Sequence, residues 1–154
     1  MIAIVACGPE RAEEVHRLTQ LAYQGQELLD PPSGASHETP ETVREQLDAC
    51  GGALALLAGE VVGCLRWDLH IDRDLYVKRL AVDPACRRRG VGSALMSWAE
   101  SEARRGGLEG VILGVRIALP DNLDFYRSLG YRVVGDGRHA GYDQATFLWL
   151  RKPV

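Results

Sequence analysis

No apolar run in this chain approaches the roughly 20 residues that a membrane-spanning helix needs, so no bilayer-crossing segment is expected. The apolar start, residues 1–6, is short and lacks a basic leader, and it reads as a first strand rather than a signal peptide. An excess of basic charge is also lacking. With 18 Lys and Arg against 21 Asp and Glu, the net charge is −3, which argues against a nucleic-acid partner for the surface as a whole. No C-x-x-C pair and no Cys/His cluster of zinc-ligand spacing occurs. Cys7, Cys50, Cys64 and Cys86 are widely spaced and read as reduced structural thiols of a cytosolic protein, with no metal expected. No glycine is followed by Lys-Ser or Lys-Thr, so a P-loop is excluded. Repeats and low-complexity tracts are absent. What remains is 154 residues, 46% hydrophobic and 25% charged, a balance that suits one soluble domain over residues 1–154 with a core of its own.

The most informative stretch is Val82-Asp83-Pro84-Ala85-Cys86-Arg87-Arg88-Arg89-Gly90-Val91-Gly92-Ser93. An apolar strand, residues 75–82, stops at Asp83-Pro84; three arginines and two alternate glycines follow, and an amphipathic helix begins. A strand feeding a glycine turn and a helix N-terminus presents backbone N–H groups and partial positive charge, which suits phosphate. The arginines add full charge and forked donors. The local basic cluster in an acidic chain fits a discrete polyanion better than a long one. A dinucleotide turn needs G-x-G-x-x-G early in a βαβ unit; here the third position is Leu95 and the turn lies past the middle of the chain.

The rest of the pattern reads as alternating elements. Residues 2–6 form a strand, and Gly8-Pro9 opens a helix to about Gln24 with Val15, Leu18 and Ala22 on one face. Residues 26–39, with Pro31-Pro32, form a loop. Thr39 caps a second helix that ends at Cys50-Gly51-Gly52. Residues 53–58 and 61–69 flank Gly59-Glu60, a hairpin signal, with Arg66, Asp68 and His70 on the polar face of the second strand. A helix from Gly90 to Arg104-Arg105-Gly106-Gly107, a strand over 111–117, a short helix over 123–128 and strands over 131–134 and 143–151 complete the chain. The order β, α, α, β, β, β, α, β, α, β, β describes a mixed α/β fold, and alone it leaves several α+β topologies open.

Arg87-Arg88-Arg89-Gly90-Val91-Gly92 fits [QR]-x-x-G-x-[GA] after a strand ending in Val-Asp-Pro. Together with Leu80-Ala81-Val82-Asp83-Pro84 upstream and Asn122, Tyr126 and Leu129-Gly130-Tyr131 downstream, the chain closely resembles the GNAT superfamily of acyl-CoA-dependent N-acetyltransferases. The resemblance covers almost the whole chain. It implies the GNAT fold, a central twisted mixed sheet of about six to seven strands with about four helices on both faces.

It also implies roles. Backbone amides of Arg88, Arg89, Gly90, Val91, Gly92 and Ser93, with Arg87, would hold the pyrophosphate of acetyl-CoA. Leu80, Ala81 and Val82 would pair their backbone with the pantetheine arm, and one N–H there would face the thioester carbonyl. Asn122 would contact the cofactor. Tyr126, four residues on and on the same helical face, would protonate the departing thiolate, since tyrosine with an ordinary pKa of about 10 stays protonated at neutral pH. The partner substrate would be an amine acceptor, a small molecule or a peptide. The resemblance is compatible with a homodimer, for which no stretch marks an interface. The general base is unassigned: several family members use a Glu on the strand before Val-Asp-Pro, and Leu75-Tyr76-Val77-Lys78-Arg79-Leu80 holds no carboxylate. Asp68, His70, His37 and Glu38 are candidates, as is a water relay to bulk. In the loop over 26–39, which often lines the acceptor site in this superfamily, Asp30 and Glu38 could attract a cationic amine. The missing carboxylate keeps a second reading open, a non-catalytic acyl-CoA-binding sensor or interaction module.

Overall fold

The computed structural model describes all 154 residues, the side chain of Leu69 excepted. Seven strands and four α-helices follow one another in the order anticipated from the pattern. The chain divides into two compact units, Met1–Leu69 with Val77–Ala99, and His70–Tyr76 with Glu100–Val154.

The first unit contains strand β1 (Ile2–Cys7), helix α1 (Ala12–Ala22), helix α2 (Pro40–Ala49), strand β2 (Gly52–Leu57), strand β3 (Glu60–Ile71) up to Leu69, the later part of strand β4 (Asp74–Val82), and the start of helix α3 (Val91–Arg105). Its strands run in the order β1-β2-β3-β4, with β1–β2 and β2–β3 antiparallel. The core joins Val15 and Leu18 of α1, Val43 and Leu47 of α2, and Leu54, Cys64 and Ala81 of the strands. Burial of each large aliphatic side chain stabilises by about 1.5–3 kcal/mol. Thr39 caps α2 through a reciprocal pair: its hydroxyl accepts from Thr42 N–H at 3.2 Å, and the Thr42 hydroxyl accepts from Thr39 N–H at 2.9 Å.

Three local expectations are corrected in this unit. Pro9 opens a 3-10 turn, Pro9–Arg11, and the α-helix proper runs from Ala12 to Ala22. The β2–β3 turn sits on Ala58-Gly59, with φ of 51° and 82°, while Glu60 already pairs with Leu57; a two-residue turn with both centres left-handed matches the strand twist. Arg66, expected on a polar face, is fully buried.

The second unit holds the first residues of β4, strand β5 (Gly110–Arg116), helix α4 (Pro120–Ser128), strand β6 (Arg132–Gly137), strand β7 (Phe147–Pro153), and α3 from Glu100 onward. Asp74, Leu75 and Tyr76 pair in parallel with Gly110, Val111 and Ile112. β5 and β6 then flank β7 in antiparallel ladders. Val111, Leu113, Val115 and Leu150 bury one sheet face. Arg151 grips the buried Asp74 through two bonds of 2.7 and 2.9 Å. A Cβ at Gly110 would lie 2.8 Å from both partners. The last strand begins at Phe147 rather than Asp143, because residues 143–146 belong to the connection closed by Thr146 N–H bonding Gly137 C=O at 2.8 Å. Tyr131 precedes β6 instead of starting it, and its side chain is buried.

Candidate cofactor loop and active-site residues

In the first unit β4 carries one irregular residue near its end. Arg79 has φ +57°, a left-handed conformation that costs a non-glycine residue and breaks regular strand geometry immediately before Leu80, Ala81 and Val82. Asp83 N–H then bonds Val62 C=O at 2.8 Å, and the Asp83 carboxylate caps the turn Pro84–Cys86 by accepting from Ala85 N–H at 2.9 Å. The arginine loop follows. Arg88 and Gly90 both take left-handed φ, 64° and 83°, and Gly90 C=O accepts the first α3 bond from Ala94 N–H at 3.0 Å. The amides of Val91, Gly92 and Ser93 therefore lie in the first turn of a helix, where N–H groups have no acceptor within the helix.

Arg87, Arg88, Arg89 and Gly90 are exposed, whereas Val91 is buried and anchors the helix start. That anchor depends on Gly63 of β3: a Cβ there would stand 2.7 Å from Val91 Cγ1 and 3.0 Å from Leu95 Cδ1. A stack of Trp67 on Trp98, centroids 5.6 Å apart, adds to the same α3–β3 packing. Where a Cβ on Gly90 would project there is open space. Exposed guanidinium groups, oriented amides and an uncluttered loop fit a pyrophosphate. One arginine is partly committed within the protein, since Arg87 donates to Ala22 C=O, the last residue of α1, at 3.0 Å.

The same unit holds an ionic cluster that the sequence pattern did not reveal. Arg66 donates to both oxygens of Glu38 at 2.9 and 2.8 Å and to Thr19 Oγ1 at 3.4 Å. Arg79 Nε reaches Glu38 Oε2 at 3.3 Å. Burial alone would raise the Glu38 pKa, but hydrogen bonds and charge from Arg66, then Arg79, outweigh it and hold the carboxyl below its ordinary value. The loop over 26–39 is tied to α1 as well, by the His16 ring at Glu38 C=O (3.0 Å) and by Gln20 donating to Ala35 C=O (2.7 Å). Among the base candidates, Glu38 is thus a paired, stabilised carboxylate and a poor proton acceptor. Asp68 is ion-paired with Lys78 at 3.0 Å. His37, His70 and Asp30 are exposed. Burial pushes the Cys64 thiol up to about 12, and burial followed by the Glu10 charge pushes Cys7 up to about 11.

In the second unit α4 begins at Pro120, so Asn122 lies inside its first turn, one turn ahead of Tyr126 on the same helix. The Tyr126 ring meets Phe125 edge-on at 5.0 Å and Tyr131 at 5.9 Å. Tyr131 donates its hydroxyl to Glu100 Oε2 at 3.0 Å, and Lys152 donates to Glu100 Oε1 at 3.0 Å.

The family model of the acetyltransferase (GNAT) family matches residues 14–131, which include the arginine loop and Tyr126. The chain belongs to the GNAT family. Over 86 residues it is 38% identical to the aminoalkylphosphonate N-acetyltransferase of Salmonella typhimurium, covering 51% of this chain and 54% of that one. Over 84 residues it is 27% identical to the probable N-acetyltransferase 14 of Xenopus tropicalis, covering 54% of this chain and 41% of that one. The chain thus spans about half the length of the curated relatives it matches. PaiA N-acetyltransferase from Thermoplasma acidophilum, solved with coenzyme A, superposes with a TM-score of 0.79 at 16% identity, covering 100% of this chain and 99% of that one. The mixed α/β fold implied by the motif is therefore the GNAT fold. No helix of this GNAT chain is long and apolar enough to cross a membrane, and no cluster of three or more His, Cys, Asp or Glu side chains suited to a metal occurs, both among the described residues.

Proposed function

We propose that the protein is an acetyl-CoA-dependent N-acetyltransferase that holds the pyrophosphate of acetyl-CoA on residues 87–93 and passes the acetyl group directly to a primary amine. The observation that carries this reading is the loop itself. Two left-handed residues, Arg88 and Gly90, turn the chain into the N-terminus of a 15-residue helix beneath exposed arginines, within the segment matched by the family model. Acetyl-CoA supplies an activated acetyl group as a thioester. The backbone of Leu80, Ala81 and Val82 aligns the pantetheine arm, and one N–H there stabilises negative charge on the thioester oxygen. Asn122 adds a cofactor contact. Tyr126 gives its phenolic proton to the sulfur as the carbon–sulfur bond breaks and the new carbon–nitrogen bond forms. The amine gives up its proton to water, because Glu38 and Asp68 are both engaged in ion pairs.

For the acceptor, an amine carrying an acid group heads the list. The Glu38 carboxylate is already taken up by Arg66 and Arg79, so it offers little to a cationic amine, and a curated relative is named for aminoalkylphosphonates. Incubation with acetyl-CoA and a panel of amines, including amino acids, aminoalkylphosphonates, polyamines and lysine peptides, while free thiol is followed, tests the proposal. Thiol release dependent on one amine class supports it. Tight CoA binding without thiol release from any amine would instead favour the binding-module reading, which the lack of a free carboxylate on β4 keeps open.

A further inference from the structure

Helix α4, which carries Tyr126, has no fully buried residue; Leu123, Phe125 and Tyr126 are half-buried. A short helix that packs through half-buried side chains is held less firmly than one with a fully buried face, yet a proton donor must be held within fractions of an ångström of its target. The C-terminal end of α4 supplies a further constraint. Leu129 N–H and Tyr131 N–H both bond Tyr126 C=O at 3.1 Å, and Gly130, at φ +96°, reverses the chain between them. The Tyr131 ring then packs edge-on against Tyr126. Only 2% of Tyr131 is exposed, and its hydroxyl ends on the buried Glu100 of α3. Lys152 of β7 completes the cluster: its ammonium holds the other Glu100 oxygen at 3.0 Å and lies 5.9 Å from the Tyr131 ring centre. Burial and the adjacent Glu100 push the Tyr131 phenol well above its ordinary value, so it stays a donor.

We infer that Glu100, Tyr131 and Lys152 are positioning residues for Tyr126, a charge-assisted anchor that fixes α4 through the Tyr131 ring. The inference rests on the proposed role of Tyr126 as proton donor. It makes Tyr131 more than a filler of the core, since phenylalanine would fill the same space without the anchor.

Steady-state kinetics of Tyr131→Phe, made both in the wild-type chain and in Tyr126→Phe, tests it. In the wild-type background kcat is expected to fall about tenfold with the KM for acetyl-CoA changed less than about twofold, the pattern of a lost transition-state contact. In the Tyr126→Phe background no further fall is expected, because the anchor acts through the group already removed. Glu100→Ala is expected to match or exceed the Tyr131→Phe loss. Glu100→Gln, which still offers an oxygen to the Tyr131 hydroxyl, should recover most of it. An equal fall in both backgrounds, an unchanged kcat in Tyr131→Phe, or no rescue by glutamine would overturn the inference. If Tyr126→Phe alone leaves kcat unchanged, the reading of Tyr126 itself fails, which separates the two claims.

Discussion

Removing the Glu38 carboxylate leaves Arg66 as an uncompensated cation in the interior. Arg66 is 0% exposed, and Glu38 accepts both of its terminal N–H groups at 2.8 and 2.9 Å. Arg66 cannot shed its proton, because a guanidinium stays charged at any working pH. In Glu38→Ala its one remaining side-chain partner is Thr19 Oγ1 at 3.4 Å, among the described residues. Breaking a buried pair by deleting one member costs about 3–5 kcal/mol, against a total stability of about 5–15 kcal/mol for a domain. For a chain of this length that corresponds to a fall in Tm of roughly 10–15 °C. Differential scanning calorimetry at pH 7 measures it, with the exposed Glu45→Ala as control. A shift below about 2 °C would refute the claim that Glu38 compensates a buried charge. The pH dependence has a definite sign. Glu38 has its pKa lowered in the folded state from an ordinary value near 4.5. Its contribution is therefore complete above that value and is lost as pH falls through the depressed one. Wild type and Glu38→Gln should differ in stability by a constant amount near neutrality, and the gap should close in acid.

Three further outcomes are expected. Gly63→Val places carbon within 3.0 Å of Val91 and Leu95; it should cost about 1–3 kcal/mol by overpacking and weaken CoA binding by displacing the α3 start, read by calorimetry. Thr39→Ala removes half of the α2 capping pair and should cost about 1 kcal/mol in urea unfolding. With a thiol reagent at pH 8, Cys64, buried and shifted to about 12, should react only after unfolding, whereas Cys86, only half-buried, should react in the folded protein.

What the sequence disclosed and what it concealed divide along physical lines. Strands, helices and their order were legible because burial on one side leaves a period in the apolar residues, as in Val15 and Leu18 of α1. The arginine loop was legible because phosphate chemistry fixes residue types at consecutive positions. The Glu38–Arg66 pair was not, because its members lie 28 positions apart and an arginine alternating with apolar neighbours looks like a solvated one. The link of Tyr131 to Glu100 and Lys152 was hidden for the same reason, since a buried polar cluster leaves no local period. The β2–β3 turn was misplaced by one residue because Ala58, which has no special preference for positive φ, occupies a left-handed position where Gly59-Glu60 looked the better signal. The late start of the strand expected over 143–151 reflects a connection in which Thr146 bonds Gly137 and His139 instead of extending the ladder.

The most direct measurement of the central claim is calorimetric titration of CoA into the wild-type protein and into Gly92→Glu, which puts bulk and negative charge among the loop amides at the start of α3. The account predicts binding by the wild type and its loss in Gly92→Glu, with Tm nearly unchanged. Equal CoA affinity in the two proteins would contradict it.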